Sequence, residues 1–206
     1  MANTTWSTTD KTGTVTLSGS NLIATATSAG AWVRAAHGKT TGKFYWEVTP
    51  TVWASSNTGI GITTPTSTPN AWNAAHLIAI FRDGWLYHSG SGVIALGYAL
   101  VPGDTIGFAL DCDAQRFWVR KCPAGTWNQS GSGADPATGF AGYNYVAGGT
   151  SGAAGLFPVA EFTGASDVAR ANFGDTAFVC TVPAGFTAGL PGAASAGSSA
   201  RVMVLA

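Results

Sequence analysis

The feature that most constrains this chain is a period of two. Apolar and polar residues alternate over short runs, and Gly, Pro, Asn or Asp interrupts each run after a few residues. Successive side chains of an extended strand point to opposite faces, so this alternation describes strands with one buried side. "TVTLSGSNLIATAT" predicts two strands about a Ser-Gly-Ser-Asn turn, and "AWVRAA" with "KFYWEVTP" predicts the next pair, split by "HGKTTG". "TGIGIT" is a short strand whose glycines permit close backbone approach. "LIAIFRDGWLYHSG" predicts a hairpin at Asp83-Gly84, a strong turn dipeptide, and "GDTIGFALDCDAQRFWVRKC" a second near Asp113-Ala114-Gln115. "GLFPVAEF", "DVARANFG" and "TAFVCTVP" supply the last strands. No stretch sustains a helical period, and "NAWNAAHLIAI", the nearest, predicts a single turn at most. Many short strands with Gly and Pro turns predict an all-β sandwich or barrel. The absence of an internal repeat argues against a propeller.

Within "GKFYWEVTP", Phe44, Trp46 and Val48 share one face of a strand, while Tyr45, Glu47 and Thr49 share the other. One face is wholly apolar and the other amphipathic, the pattern of a sandwich strand with one side in the core. Burying Phe44 and Trp46 contributes several kcal/mol at about 25 cal/mol per Å² of apolar area. This aromatic run is therefore expected to hold the core and not to offer a binding platform.

Composition excludes several classes of function. Only 10% of residues are charged, ten basic against ten acidic, so the chain lacks the basic footprint of a nucleic-acid binder. No apolar run reaches the length of a membrane span. "MANTTWSTTDKTG" has no basic region followed by an apolar run, so no secretory signal is expected and the protein is expected to be made in the cytosol. Cys112, Cys122 and Cys180 are odd in number and lack C-x-x-C spacing, which predicts buried thiols in place of a disulfide framework. His37, His76 and His88 are scattered, so neither a metal site nor a cofactor is expected. "HGKTTGK" fails as a phosphate loop, because Val33 stands where the first glycine belongs and no helix follows. Asp111 and Asp113 are read as hairpin residues, with cation binding as the alternative. No G-x-S-x-G elbow occurs, and no carboxylate pair is singled out for glycoside cleavage. The chain is expected not to be an enzyme. Asn3-Thr4-Thr5 and Asn128-Gln129-Ser130 fit the glycosylation pattern by chance on this reading.

Residues 123–152, "PAGTWNQSGSGADPATGFAGYNYVAGGTSG", lack a convincing strand yet carry Trp127, Phe140, Tyr143 and Tyr145. Long loops without secondary structure are uncommon and tend to be functional or disordered. Trp and Tyr beside Asn suit binding, since they offer flat apolar faces at low entropy cost. The candidate ligand-binding residues are Trp72, Asn73, Trp127, Asn128, Tyr143, Asn144 and Tyr145, with the opposing reading that the Trp rings plug the end of the sandwich or the loop's own small core. Trp53, close to a strand, leans to the structural role. Residues 192–206 read as a flexible tail ending in "VMVLA", whose Val202, Met203, Val204 and Leu205 need cover, as an edge strand or against a neighbouring subunit. One domain is expected over residues 1–191.

The same residues carry a family resemblance. "GKFYWEV", then "GIGI", "PGDTIGFALDCDAQRFWV", "LFPVAEF" and "ARANFGDTAFVCTVPAGF" resemble, in order, the motifs of the SPRY (B30.2-like) family, over roughly residues 17–190. The insertion "GTWNQSG…DPATG" resembles a variant of bacterial and bacteriophage SPRY proteins, whereas Arg120-Lys121-Cys122-Pro123 departs from the family's Lys-Asn-Gly turn. The resemblance implies two bent antiparallel sheets, lectin-like in shape, with ligands met by loops at one end and no catalysis. The expected role is a recognition module on a bacteriophage or phage-like particle, binding a host surface glycan or protein. The alternative is a structural virion subunit contacting other virion proteins or further copies of itself through its tail.

Overall fold

The computed structural model describes residues 2–128 and 133–192. It is an all-β sandwich of two antiparallel sheets, with no helix among the described residues. One sheet has seven strands in the order β1 (Trp6–Lys11), β4 (Ala31–Ala35), β13 (Phe157–Phe162), β6 (Gly59–Thr63), β7 (Ile78–Phe81), β8 (Trp85–His88), β9 (Ser91–Ala95). The other runs β12 (Tyr143–Asn144), β11 (Arg116–Lys121), β10 (Ile106–Asp111), β5 (Lys43–Val52), β14 (Val168–Asn172), β3 (Ile23–Ala26), β2 (Val15–Ser18), with β15 (Thr187–Ala188) paired to β5.

The predicted hairpins form where their turn residues require. Ser20 and Asn21 take positive φ between β2 and β3, Gly84 does so between β7 and β8, and Gln115 between β10 and β11. Asp111 closes the last of these: it accepts the Ala114 amide at 2.8 Å and pairs with Lys43 at 2.9 Å while almost fully buried. Asp113 accepts the Gly42 amide at 3.0 Å. Both carboxylates serve the hairpin.

The inner faces pack as the strand alternation requires. Trp46 stacks on Phe108 at 5.4 Å and on Phe117 at 6.2 Å, and Trp6 meets Phe173 edge-on at 5.1 Å. Trp53 also belongs to this core, its ring nitrogen donating to Thr58 O at 2.9 Å.

Four local expectations are corrected. β4 and β5 are not a hairpin. β4 pairs with β1 and β13, whereas β5 crosses to the other sheet between β10 and β14. The connection instead pairs Lys39 with Leu156 through two 2.9 Å backbone bonds, and bare Gly38 leaves room for the Phe157 ring, which a Cβ would meet at 2.6 Å. "TAFVCTVP" is not a strand; it is an irregular cover laid over the sheet. Residues 70–77 form turns with no helical turn. Finally, Cys122 and Cys180 form a disulfide across a sequence separation of 58, so only Cys112 is a free buried thiol. Their pairing arises where the end of β11 meets that irregular cover, a proximity that no local spacing announces.

The cover also changes the reading of β5. Its amphipathic face is sealed by a second small core of Tyr45, Trp118, Trp127, Phe186 and the disulfide. Buried Glu47 is satisfied there by the Tyr45 hydroxyl at 2.7 Å and the Val179 and Cys180 amides at 2.9 and 2.8 Å. Arg120 lies over the Trp127 ring at 4.5 Å. The tail residues Val202, Met203, Val204 and Leu205 lie outside the described residues.

Candidate recognition site

Strand alternation places Trp85 and Tyr87 of β8 on the outer face of the seven-stranded sheet, while Leu86 and His88 point inward and are buried. Gly92 of β9 sits opposite Tyr87, and a Cβ there would meet the Trp85 ring at 3.1 Å and the Tyr87 ring at 3.6 Å. The two rings therefore flank a bare stretch of backbone. Phe81 supports Tyr87 from below, edge-on at 5.3 Å. Trp72, on the loop between β6 and β7, meets Tyr87 edge-on at 5.9 Å and remains 40% exposed. The loop rests on the β8–β9 turn: a Cβ on Gly90, which has positive φ, would fall 2.7 Å from Asn73 Cβ and 3.3 Å from the Trp72 ring.

Trp72, Phe81 and Tyr87 bound an open cleft of about 290 Å³, completed by Ser56, Asn57, Asp83 and Gly90. Asp83 is fixed in place. One carboxylate oxygen accepts the Trp85 amide at 2.9 Å and the other accepts the Tyr87 hydroxyl at 2.7 Å. That hydrogen bond, with some burial, raises the Tyr87 phenol above its ordinary range and keeps it a donor. The cleft thus offers aromatic faces beside one oriented carboxylate, an amide and a hydroxyl.

The structure places the sequence candidates in three settings. Trp72 lines this cleft, and Asn73, exposed on the same loop, sits beside it against Gly90. Trp127 and Asn128 are buried on the other sheet; the Asn128 side chain accepts the Val119 amide at 2.9 Å and donates to Ala141 O at 2.9 Å, stapling the loop to β11. Tyr145 is buried in the main core with its hydroxyl toward Cys112 O at 3.4 Å, and Asn144 caps a turn by accepting the Val146 and Ala147 amides at 3.1 and 2.9 Å. Tyr143 is half-buried and joins the first group indirectly. Its hydroxyl lies 2.7 Å from His88 Nδ1, His88 Nε2 lies 2.6 Å from Thr150 Oγ1, and Thr150 Oγ1 lies 3.4 Å from Nδ1 of His76, on the Trp72 loop. Burial, then the neighbouring His76, lowers the His88 pKa, which favours the neutral ring of His88. Phe81, Asp83 and Tyr87 were absent from the sequence candidates, although the Asp83-Gly84 turn and the Trp85/Tyr87 alternation carried the signal.

A second cleft, of about 280 Å³, opens on the outer face of the eight-stranded sheet between Thr49, Thr105, Arg170, Asn172 and Asp175. Leu22, Ala171, Ala177 and Val179 also line it, and no aromatic ring does. Among the described residues one cluster has metal-ligand proximity, Glu47 with Cys122 and Cys180. Its sulfurs are bonded to each other and its carboxylate is already satisfied by protein donors. The Cys112 thiol is pushed up to about 12 by burial first and by Asp113 and Asp111 next, so it stays protonated.

With this geometry in view, the solved structures decide the fold. The SPRY domain of human HERC1 matches 81% of this chain and 96% of its own length at 17% identity, with a TM-score of 0.55. The TRIM65 PSpry domain matches 83% of this chain and 92% of its own at 14% identity, with a TM-score of 0.60. The fold is SPRY-like. Stonustoxin contains a similar unit, matching 83% of this chain over 27% of its own length at 15% identity and a TM-score of 0.55. No protein-family model and no curated protein matches the sequence. The SPRY-like sandwich places the Trp72 cleft on the outer face of one sheet, where the loop between β6 and β7 forms its rim.

Proposed function

We propose that this chain is a non-catalytic recognition module that holds a host surface glycan or another exposed host molecule in the Trp72 cleft. The observation that carries the reading is an exposed Trp72 braced on Tyr87 beside a carboxylate already oriented by two donors. A site built before the ligand arrives avoids much of the ordering cost of binding. The SPRY-like fold supports an interaction role, and the likeness of the 123–152 insertion to bacteriophage variants supports a place on a virion surface. Host-surface preparations applied to the purified protein test it. Wild type should be retained and Trp72→Ala should not, with the two circular dichroism spectra superimposable. Equal retention of both proteins would remove the cleft from the proposal.

The structural virion subunit is the second reading, favoured by β1 standing at the edge of its sheet, close to where Gly192 is anchored to Ala2 by a 2.9 Å backbone bond. Deleting residues 201–206 should abolish incorporation into particles on that reading, and normal incorporation would count against it.

A further inference from the structure

Resting on the recognition reading, we infer that the Trp72 cleft is built for the uncharged end of an oligosaccharide, with Asp83 as the residue that sets specificity. The first argument is the distribution of charge. Asp83 supplies a negative charge to the cleft, and no Lys, Arg or His lines it. An acidic sugar, phosphate or sulfate would enter without a counter-charge and against a carboxylate. A neutral sugar meets no such penalty.

The second argument is the state of that carboxylate. Each Asp83 oxygen has taken one protein donor, from Trp85 and from Tyr87. An ionised carboxylate has about four acceptor positions, so one remains on each oxygen. Two fixed, outward acceptors match a pair of neighbouring hydroxyls on one sugar ring. The Asn57 side-chain nitrogen makes no hydrogen bond among the described residues and supplies a donor across the cleft.

The third argument is the bare apolar surface. Trp72, which lines the cleft with Phe81 and Tyr87, is 40% exposed. A pyranose ring carries an apolar C–H face and a polar rim, which calls for an aromatic face beside hydrogen-bonding groups in a single concave site. Gly92, opposite Tyr87, keeps side-chain bulk away from that ring. The volume of about 290 Å³ lies at the small end for ligand sites and suits the tip of a chain.

The test uses the full chain and oligosaccharides on one common linker, ending in galactose, glucose, N-acetylglucosamine or glucuronic acid. A random peptide library is run in parallel, and tryptophan fluorescence and saturation-transfer NMR serve as readouts. At least one neutral terminus should bind, glucuronic acid should bind at least tenfold more weakly than glucose, and Asp83→Asn should weaken the neutral ligand about tenfold or more. Asn57→Ala, remote from the β7–β8 turn, should weaken it several-fold, so the proposal stays testable if Asp83→Asn unfolds the hairpin. Acidic termini binding as well as neutral ones, or unchanged affinity in a folded Asp83→Asn, would overturn the neutral-sugar inference. Peptides bound in a Trp72-dependent manner, with no sugar bound, would overturn it too while leaving the recognition cleft standing. If neither sugar nor peptide binding depends on Trp72, both readings fall.

Discussion

The outer faces of the two sheets begin from similar material and end differently. The eight-stranded sheet carries Tyr45 and Trp118, with Trp127 and Phe186 above them; the seven-stranded sheet carries Phe81, Trp85 and Tyr87, with Trp72 at the rim. On the first, residues 123–128 and 133–142 and the irregular 176–186 segment lie across the rings, and the Cys122–Cys180 bond ties the end of β11 to that segment. On the second, the covering loop stops short, leaving Trp72 and Trp85 partly bare. An aromatic-rich face therefore does not identify a binding site. What distinguishes the two is whether chain remains to seal the face and polar groups to pin the seal.

Substitutions on the two faces should separate along this line. Trp127→Ala removes a buried ring with an Arg stacked on it and should cost about 3–5 kcal/mol in urea unfolding. A loss below 1 kcal/mol would show that the cover is dispensable. The Cys122→Ser/Cys180→Ser double variant should cost about 2–5 kcal/mol, and an unchanged unfolding midpoint would contradict the pinning role.

A third variant probes the open side. Glu161 stands opposite Trp32 and Gly59 on β13 and is fully buried; neither carboxyl oxygen has a well-formed hydrogen bond, and burial raises its pKa to about 8. The folded state keeps the proton while the unfolded chain releases it above the ordinary value of 4.5. Stability from this group is thus complete below that value and is lost as pH rises through about 8. Glu161→Gln should flatten the fall and stabilise the protein at pH 8.5 by on the order of 3 kcal/mol. A parallel pH profile would exclude the group.

His88 has the opposite sign. Its lowered pKa means the folded state resists protonation, so stability is complete above the ordinary 6.5 and declines as pH falls below it. Amide protection factors at residues 143–150 and 72–77 should fall together as pH drops from 7.5 to 5.5, and in His88→Gln this pH response should disappear. Protection factors that stay constant in wild type would disconnect the relay from both loops. The smallest effect on stability belongs to Trp72→Ala, below about 1 kcal/mol, although it should abolish binding.

How much of this was legible in the sequence varies with the range of the interaction. The hairpins at Asp83-Gly84 and Asp113-Ala114-Gln115 were legible because turn chemistry and alternation act within a few residues. The opposed faces of Phe44/Trp46/Val48 and Tyr45/Glu47/Thr49 were legible for the same reason. Trp72 was marked as a candidate and lines the open cleft, whereas Trp127 and Tyr145, marked on the same grounds, have buried rings. Local sequence could not separate them, since each is an aromatic beside or near Asn in a loop of small and polar residues.

The sequence by itself determined that the chain would be built from short antiparallel strands, where most of its turns fall and which side of each strand is apolar. These follow from backbone geometry and nearest-neighbour chemistry. The tertiary structure decided that β4 and β5 part to different sheets, that Cys122 finds Cys180, and that one aromatic face is sealed while the other stays open. Those outcomes depend on which remote segments reach a surface first filled by other strands, and residues far apart in the chain carry no mark of that meeting until it occurs.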